Sequence, residues 1–179
     1  MSGAPRLADA SIRLDSMPAA GRDVAVTPGE SERAMIASEL RISAVTSLDV
    51  RLHAVKFRGG IRVTGRLTAQ IVQPSVISLE PVTQEIAEPI DRVFLPGAEK
   101  SFAGAAGAEI FVDLEGEDIP DHFDGPEADL SGLIIETLAL GIDPYPKAEG
   151  ESAEALGLSQ DAGKESPFAV LKALKDKGR

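Results

Sequence analysis

Val45-Thr-Ser-Leu-Asp-Val-Arg-Leu-His-Ala-Val-Lys-Phe-Arg-Gly-Gly-Ile-Arg-Val-Thr-Gly-Arg-Leu-Thr-Ala-Gln-Ile-Val72 is the stretch on which the fold turns. In its second half Ile61, Val63, Leu67, Ala69 and Ile71 alternate with Arg62, Thr64, Arg66, Thr68 and Gln70. In its first half Leu48, Val50, Leu52 and Ala54 alternate with Asp49, Arg51 and His53. A period of two is that of a strand with one buried face. The apolar positions are even in one half and odd in the other. A hairpin centred on Gly59-Gly60 therefore predicts Leu48 opposite Ile71, Val50 opposite Ala69 and Leu52 opposite Leu67, with both apolar sets on one face. Gly-Gly supplies the positive φ of a two-residue turn. Val55 and Phe57 fall on the polar face, which calls for a bulge or a cover at that end.

Outward from the hairpin, Ser11–Asp15 and Arg22–Val26 read as short strands around a Pro18/Gly21 turn. Thr27-Pro-Gly-Glu30 reads as a capping box opening a helix to about Leu40, with Ala34, Ala37 and Leu40 inward. After Pro74 a third strand is expected over Val76–Leu79. Thr83–Ile90 continues extended, with Pro89 at an edge or bend because it donates no ladder hydrogen bond. Glu109–Leu114 is a further strand candidate. Leu130, Leu133, Ile134, Leu138 and Ile142 fit one helical face, ended by Gly141 and Pro144. The reading is α+β: a mostly antiparallel, curved sheet with packed helices and a C-terminal helical tail. Residues 1–146 form one domain, 147–165 an acidic mobile linker and 166–179 the tail. In the tail Ser166 caps, Pro167 takes the first helical turn, and Phe168, Leu171 and Leu174 share a face. That face needs a receiver, either the protein's own sheet near Val55 and Phe57 or, as the long spacer favours, a partner.

Composition narrows the function. The 179 residues carry a net charge of −11 and no cysteine. Disulfides, thiolate metal sites and cysteine nucleophiles are excluded. Such an acidic chain is repelled by nucleic acid except at a local basic patch. One patch exists. Between Arg41 and Arg66 stand six basic side chains against Asp49 alone, a net +5 that leaves −16 on the rest. Arg51, His53, Arg62 and Arg66 share the polar hairpin face, with Arg58 beside the turn, and form the candidate RNA-contact surface. Arginine suits phosphate because its planar fork matches two oxygens. The plainer alternative is a solvated sheet face neutralised by nearby acids.

Little else suggests chemistry. His53 and His122 sit in no metal-ligand or triad spacing, and Gly104-Ala-Ala-Gly107 lacks the lysine and strand-to-helix context of a phosphate loop. The acidic run Asp113, Glu115, Glu117, Asp118, Asp121, Asp124, Glu127 and Asp129 does not match a calcium loop. It reads as a solvated loop or a landing site for a basic partner. Glu136, in an apolar helix, points to solvent or meets a neighbour such as a hairpin arginine. The residues name no catalytic group, no metal site and no cofactor. The absence of a long apolar run argues against a membrane segment and for a cytoplasmic setting.

Three blocks in order carry a resemblance: Ser75-Val-Ile-Ser-Leu-Glu-Pro-Val82, Ala128-Asp-Leu-Ser-Gly-Leu-Ile-Ile-Glu-Thr-Leu-Ala-Leu-Gly-Ile-Asp-Pro-Tyr-Pro146, and Ser166-Pro-Phe-Ala-Val-Leu-Lys172. They resemble the YceD family, the large-ribosomal-RNA-subunit accumulation proteins of bacteria and plastids. The matching positions are Ser75, Ser78, Leu79, Pro81, Asp129, Leu130, Glu136, Pro167 and Phe168. Family members typically show Cys-x-Arg-Cys-Leu-x-Pro-Val in the first block. Here Ser75 and Ser78 replace the cysteines and Ile77 the arginine, so a thiol or zinc role cannot apply. The resemblance implies a non-enzymatic factor supporting large-subunit rRNA accumulation, with a ribosomal protein or that rRNA as partner. The alternative is a metal-dependent hydrolase or nuclease using the acidic loop, which requires converging carboxylates. Oligomeric state is not fixed by these features.

Overall fold

The computed structural model describes residues 5–97 and 120–152. The expected strand at Glu109–Leu114, linker residues 153–165 and the tail with Pro167, Phe168, Leu171 and Leu174 lie outside the described residues. In chain order the elements are β1 (Ser11–Arg13), β2 (Arg22–Val26), α1 (Glu30–Leu40), β3 (Ala44–Phe57), β4 (Gly60–Pro74), β5 (Pro81–Pro96), β6 (Asp121–Phe123), β7 (Glu127–Asp129) and α2 (Ser131–Gly141). Strands β2-β3-β4-β5-β6 form one sheet, antiparallel except for the β5–β6 pair. β1 and β7 form a separate two-stranded ribbon. The α+β architecture expected from the sequence is the one observed.

The hairpin faces agree with the alternation, but its register does not. Phe57 pairs with Gly60, so the turn residues are Arg58 and Gly59, with φ of 49° and 83°. Two successive positive φ values are those of a type I′ turn, whose twist matches the flanking strands. Leu48 therefore faces Ala69, Val50 faces Leu67, and Leu52 faces Gly65. The offset is two residues, and a shift of two leaves every side chain on its expected face. Leu48, Val50, Leu52, Leu67, Ala69 and Ile71 are all buried, as the alternation requires. Gly60 is needed for a different reason: a Cβ there would lie 1.9 Å from the Phe94 carbonyl oxygen of β5. The glycine pair thus serves one turn position and one close backbone approach.

Of the bulge or cover expected near Val55, the bulge is not there; the register shift of the ladder lies between Val45 and Ser47. It switches parity, so that Val45 and Leu48 both reach the core. Val55 and Phe57 stay on the outer face, each half-buried. The strand expected at Val76–Leu79 is the turn between β4 and β5, and β5 begins only at Pro81. Alternation cannot distinguish a short apolar turn from a strand. Pro89 lies where β5 is paired on one side only, opposite Arg66 of β4. β1 and β2 do not pair with each other; they join β7 and β3.

The inner sheet face is closed by α1 against β3 and α2 against β5 and β4. α1 starts two residues later than its capping sequence suggests. Gly29 is the N-cap, and its N–H donates to Glu32 at 2.9 Å. Ile36 and Ala37 face inward, Leu40 is half-buried, and Ala34 is exposed, contrary to expectation: the buried stripe is centred on Ile36 and Ala37. In α2, Leu133, Ile134, Ile135 and Leu138 are buried, and Leu130 precedes them in the same core. Leu7, Ala10, Ile12 and Met17 fill that core from the N-terminal segment. Among the described residues no helix is long and apolar enough to cross a membrane.

Candidate functional site

The outer sheet face is built from the polar positions of β2 to β5. Pairing places Asp23, His53, Thr64 and Asp91 in one cross-strand row, and Ala25, Arg51, Arg66 and Pro89 in the next. The structure thus brings Arg51, His53, Arg62 and Arg66 onto one surface, as the alternation demands, with Arg58 in the turn. Arg58 lies 5.0 Å from the centroid of the Phe57 ring, within cation–π range.

Most of these cations meet carboxylates. The Arg51 guanidinium donates to Asp49 through Nε at 2.8 Å and Nη2 at 3.0 Å. The Arg62 guanidinium donates to Asp91 through Nε at 2.8 Å and Nη2 at 2.6 Å. His53 Nδ1 is 2.7 Å from Asp23 Oδ1. Hydrogen bonding from Arg51, then from Thr27, holds the Asp49 carboxyl below the usual range; Arg62 does the same for Asp91. Arg66 forms no ion pair among the described residues. Asp23 and Asp91 are the partners that the sequence did not reveal, because each lies about 30 residues from the group it meets.

The second feature is the β4–β5 turn that carries Ser75 and Ser78. Ser75 Oγ accepts N–H groups from Ile77 at 3.1 Å and Ser78 at 3.3 Å. Ser78 Oγ accepts the Glu80 N–H at 3.3 Å. Both hydroxyls donate to one carboxylate, that of Glu151: Ser75 to Oε2 at 2.5 Å, Ser78 to Oε1. The Ala148 N–H also donates to Glu151 Oε2, at 2.9 Å. Hydrogen bonds from Ser75, Ser78 and Ala148, in that order, hold the Glu151 carboxyl below its usual range. Glu151 falls within the stretch read as linker, and its separation of 73 residues from Ser78 left no sequence signal. The clasp pins residues 146–152 to the turn, helped by the Val76 N–H donating to the Pro146 carbonyl at 2.8 Å.

Of the other motif positions, Asp129, Leu130, Pro81 and Glu136 have these places in the described structure. Asp129 accepts the Ser131 N–H at 2.9 Å, satisfying a donor that the start of α2 leaves open, and pairs with Arg6 at 2.9 Å. Leu130 is fully buried, and its N–H donates to the Ala10 carbonyl at 2.7 Å. Pro81 opens β5 opposite Pro74. Glu136 is exposed and lies 3.5 Å from Arg92 of β5, so its partner is not a hairpin arginine. Asp129, Glu136, Arg92, Asp121 and Asp124 line an open groove of about 660 Å³ between α2 and the β5–β6 edge. Among the described residues no three histidines or carboxylates converge as a metal set. Asp113, Glu115, Glu117 and Asp118 of the acidic run lie outside the described residues.

Comparison with curated proteins and with solved structures finds no match. Comparison with family profiles matches residues 63–175 to the large ribosomal RNA subunit accumulation protein YceD. The match runs from within β4 past the end of the described chain. It includes the Ser75–Ser78 turn, β5, α2 and the Pro167-Phe168 motif, and it covers more than half of the protein. The chain belongs to the YceD family of large ribosomal RNA subunit accumulation proteins.

Proposed function

We propose that this chain is a non-enzymatic factor that supports large-subunit rRNA accumulation by binding a basic ribosomal protein rather than RNA itself. The observation that carries this reading is the internal pairing of the outer sheet face. Arg51, Arg62 and His53 each have a carboxylate within hydrogen-bonding distance. A phosphate would have to displace Asp49, Asp91 and Asp23, and the chain as a whole carries −11. Exposed ion pairs are individually weak, but their carboxylates also repel an incoming polyanion. Among its described residues the face offers no phenyl ring beyond Phe57 on which the bases of single-stranded RNA could stack. A basic partner meets the opposite situation in the groove beside α2, which Asp121, Asp124, Asp129 and Glu136 line.

The RNA reading retains one specific support, Arg66, which lies beside Arg51 without a carboxylate of its own among the described residues. The test sets the two partners against each other. The full chain is immobilised and offered purified large-subunit ribosomal proteins or naked large-subunit rRNA across a salt series. The expected result is capture of a ribosomal protein that survives nuclease and persists in Arg51→Glu/Arg62→Glu/Arg66→Glu. Capture of rRNA that falls log-linearly with salt and disappears in the triple variant would overturn the proposal.

A further inference from the structure

One end of the molecule exposes large apolar side chains that the described body leaves uncovered. Val76 is 53% exposed, Leu79 76%, Tyr145 73% and Leu140 76%. The Val76 N–H donates to the carbonyl of Pro146, the residue after Tyr145, so the β4–β5 turn and the segment following α2 lie side by side. Gln84 of β5 donates to the Gly141 carbonyl at 2.8 Å, which brings the last turn of α2, with Leu140, to the same end.

Leu79 bears a second mark. Its φ is 65°, in the left-handed region that costs an L-residue energy and that glycine would enter freely. Its exposed side chain gains no packing within the described body in return. A strained backbone under an exposed leucine points to a contact for that leucine.

The chain itself holds a complementary segment. Phe168, Leu171 and Leu174 recur at helical spacing, and residues 166–179 carry Lys172, Lys175, Lys177 and Arg179 against Asp176 alone. The exposed patch is flanked by Glu80, Asp143 and Glu149, all exposed, with Lys147 the one basic neighbour in that stretch. Apolar anchors therefore meet apolar side chains, and lysines meet carboxylates. The tether is in place as well. Glu151, clasped by Ser75 and Ser78, fixes the departure point of the chain at the turn that carries Val76 and Leu79. Sixteen residues separate Glu151 from Phe168, and a generic linker of that length reaches about 20–24 Å, ample for a return to the patch at high effective concentration.

We propose that residues Pro167–Lys175 dock in cis on the surface formed by Val76, Leu79 and Tyr145, with Leu140 at its border. A partner that uses either the segment or the patch must then displace this contact. The proposal stands apart from the choice between protein and RNA as the cellular partner.

The cysteine-free chain allows a direct test. Ser166→Cys in the full-length protein accepts a single nitroxide label. The expected result is paramagnetic broadening of the Val76, Leu79 and Tyr145 amides at low protein concentration. Mixing labelled chain with isotope-labelled, nitroxide-free chain should give no broadening. Leu79→Glu/Tyr145→Glu alters exposed positions only; it should abolish the broadening and speed amide exchange at Val170 and Leu171 at least tenfold. Absence of broadening at the patch in the labelled wild-type chain overturns the proposal without recourse to the variant. So does broadening that arises only in the mixed sample, which assigns the patch to a second copy, or broadening that persists in the double variant, which places the segment elsewhere.

Discussion

Arg51 and Arg66 stand directly opposite each other across the β3–β4 ladder, and Arg51 turns along its own strand to reach Asp49 at 2.8 Å. Like charges directly opposite are destabilising, and opposite charges there contribute about 0.2–1 kcal/mol. Arg66→Glu is therefore expected to raise stability by up to about 1 kcal/mol, read from the midpoint of urea unfolding. The gain should vanish in an Arg51→Ala background, because the cycle isolates the pair. An unchanged or lowered midpoint would mean that Arg66 has a stabilising role of its own.

The two glycines of the turn separate two kinds of constraint. Gly59 has φ 83° with open space where a Cβ would go, whereas a Cβ on Gly60 would meet the Phe94 carbonyl oxygen. Gly59→Ala should cost about 1–2 kcal/mol from left-handed backbone alone. Gly60→Ala should cost as much as an overpacked core site, about 1–3 kcal/mol or more, because the obstacle is backbone. It should also speed amide exchange in β5 near Phe94, which Gly59→Ala should leave unchanged.

Parity made the faces legible and left the register open. Leu48 to Ala54 and Ile61 to Ile71 declare which side is buried, whichever of two even-offset pairings is used. The choice depended on Arg58 entering φ 49°, a conformation the sequence reading reserved for glycine. The bulge at Val45/Ser47 and the turn at Val76–Leu79 were hidden for a related reason: each breaks a local period through a tertiary demand. The arginine face was legible as a surface, but its neutralisation was not. Asp23, Asp91 and Glu151 lie far along the chain from the groups they meet.

Leu79→Gly should act with opposite signs on two readouts. Relief of the left-handed strain, offset by the greater chain entropy of glycine, should leave global stability unchanged or raised by up to about 1 kcal/mol. Loss of the side chain should still deprotect Val170 and Leu171 in hydrogen exchange. Thermal unfolding and exchange on one sample check both.

The clasp sets an acid dependence. The folded-state pKa of Glu151 is depressed, so its stabilising contribution is present above the ordinary glutamate value of 4.5 and is lost as pH falls through the lower folded value. Asp49 and Asp91 follow the same rule: their contribution is present above 3.8 and is lost as pH falls through their lower folded values. The carboxyl carbon of Glu151 should titrate with a midpoint below 4.5, and the midpoint should move up toward that value in Ser75→Ala/Ser78→Ala. A Glu151 midpoint at or above 4.5 in the wild-type chain would mean that the hydroxyls do not hold the carboxylate.

A turn closed by two hydroxyls and a carboxylate obeys different chemistry from one closed by thiols. Serine oxygens do not climb the oxidation ladder that cysteine sulfur climbs, and they do not exchange with glutathione. The Ser75–Glu151–Ser78 junction should therefore hold under peroxide, under reductant and under chelator alike. What the junction does answer to is protons, through the Glu151 carboxylate.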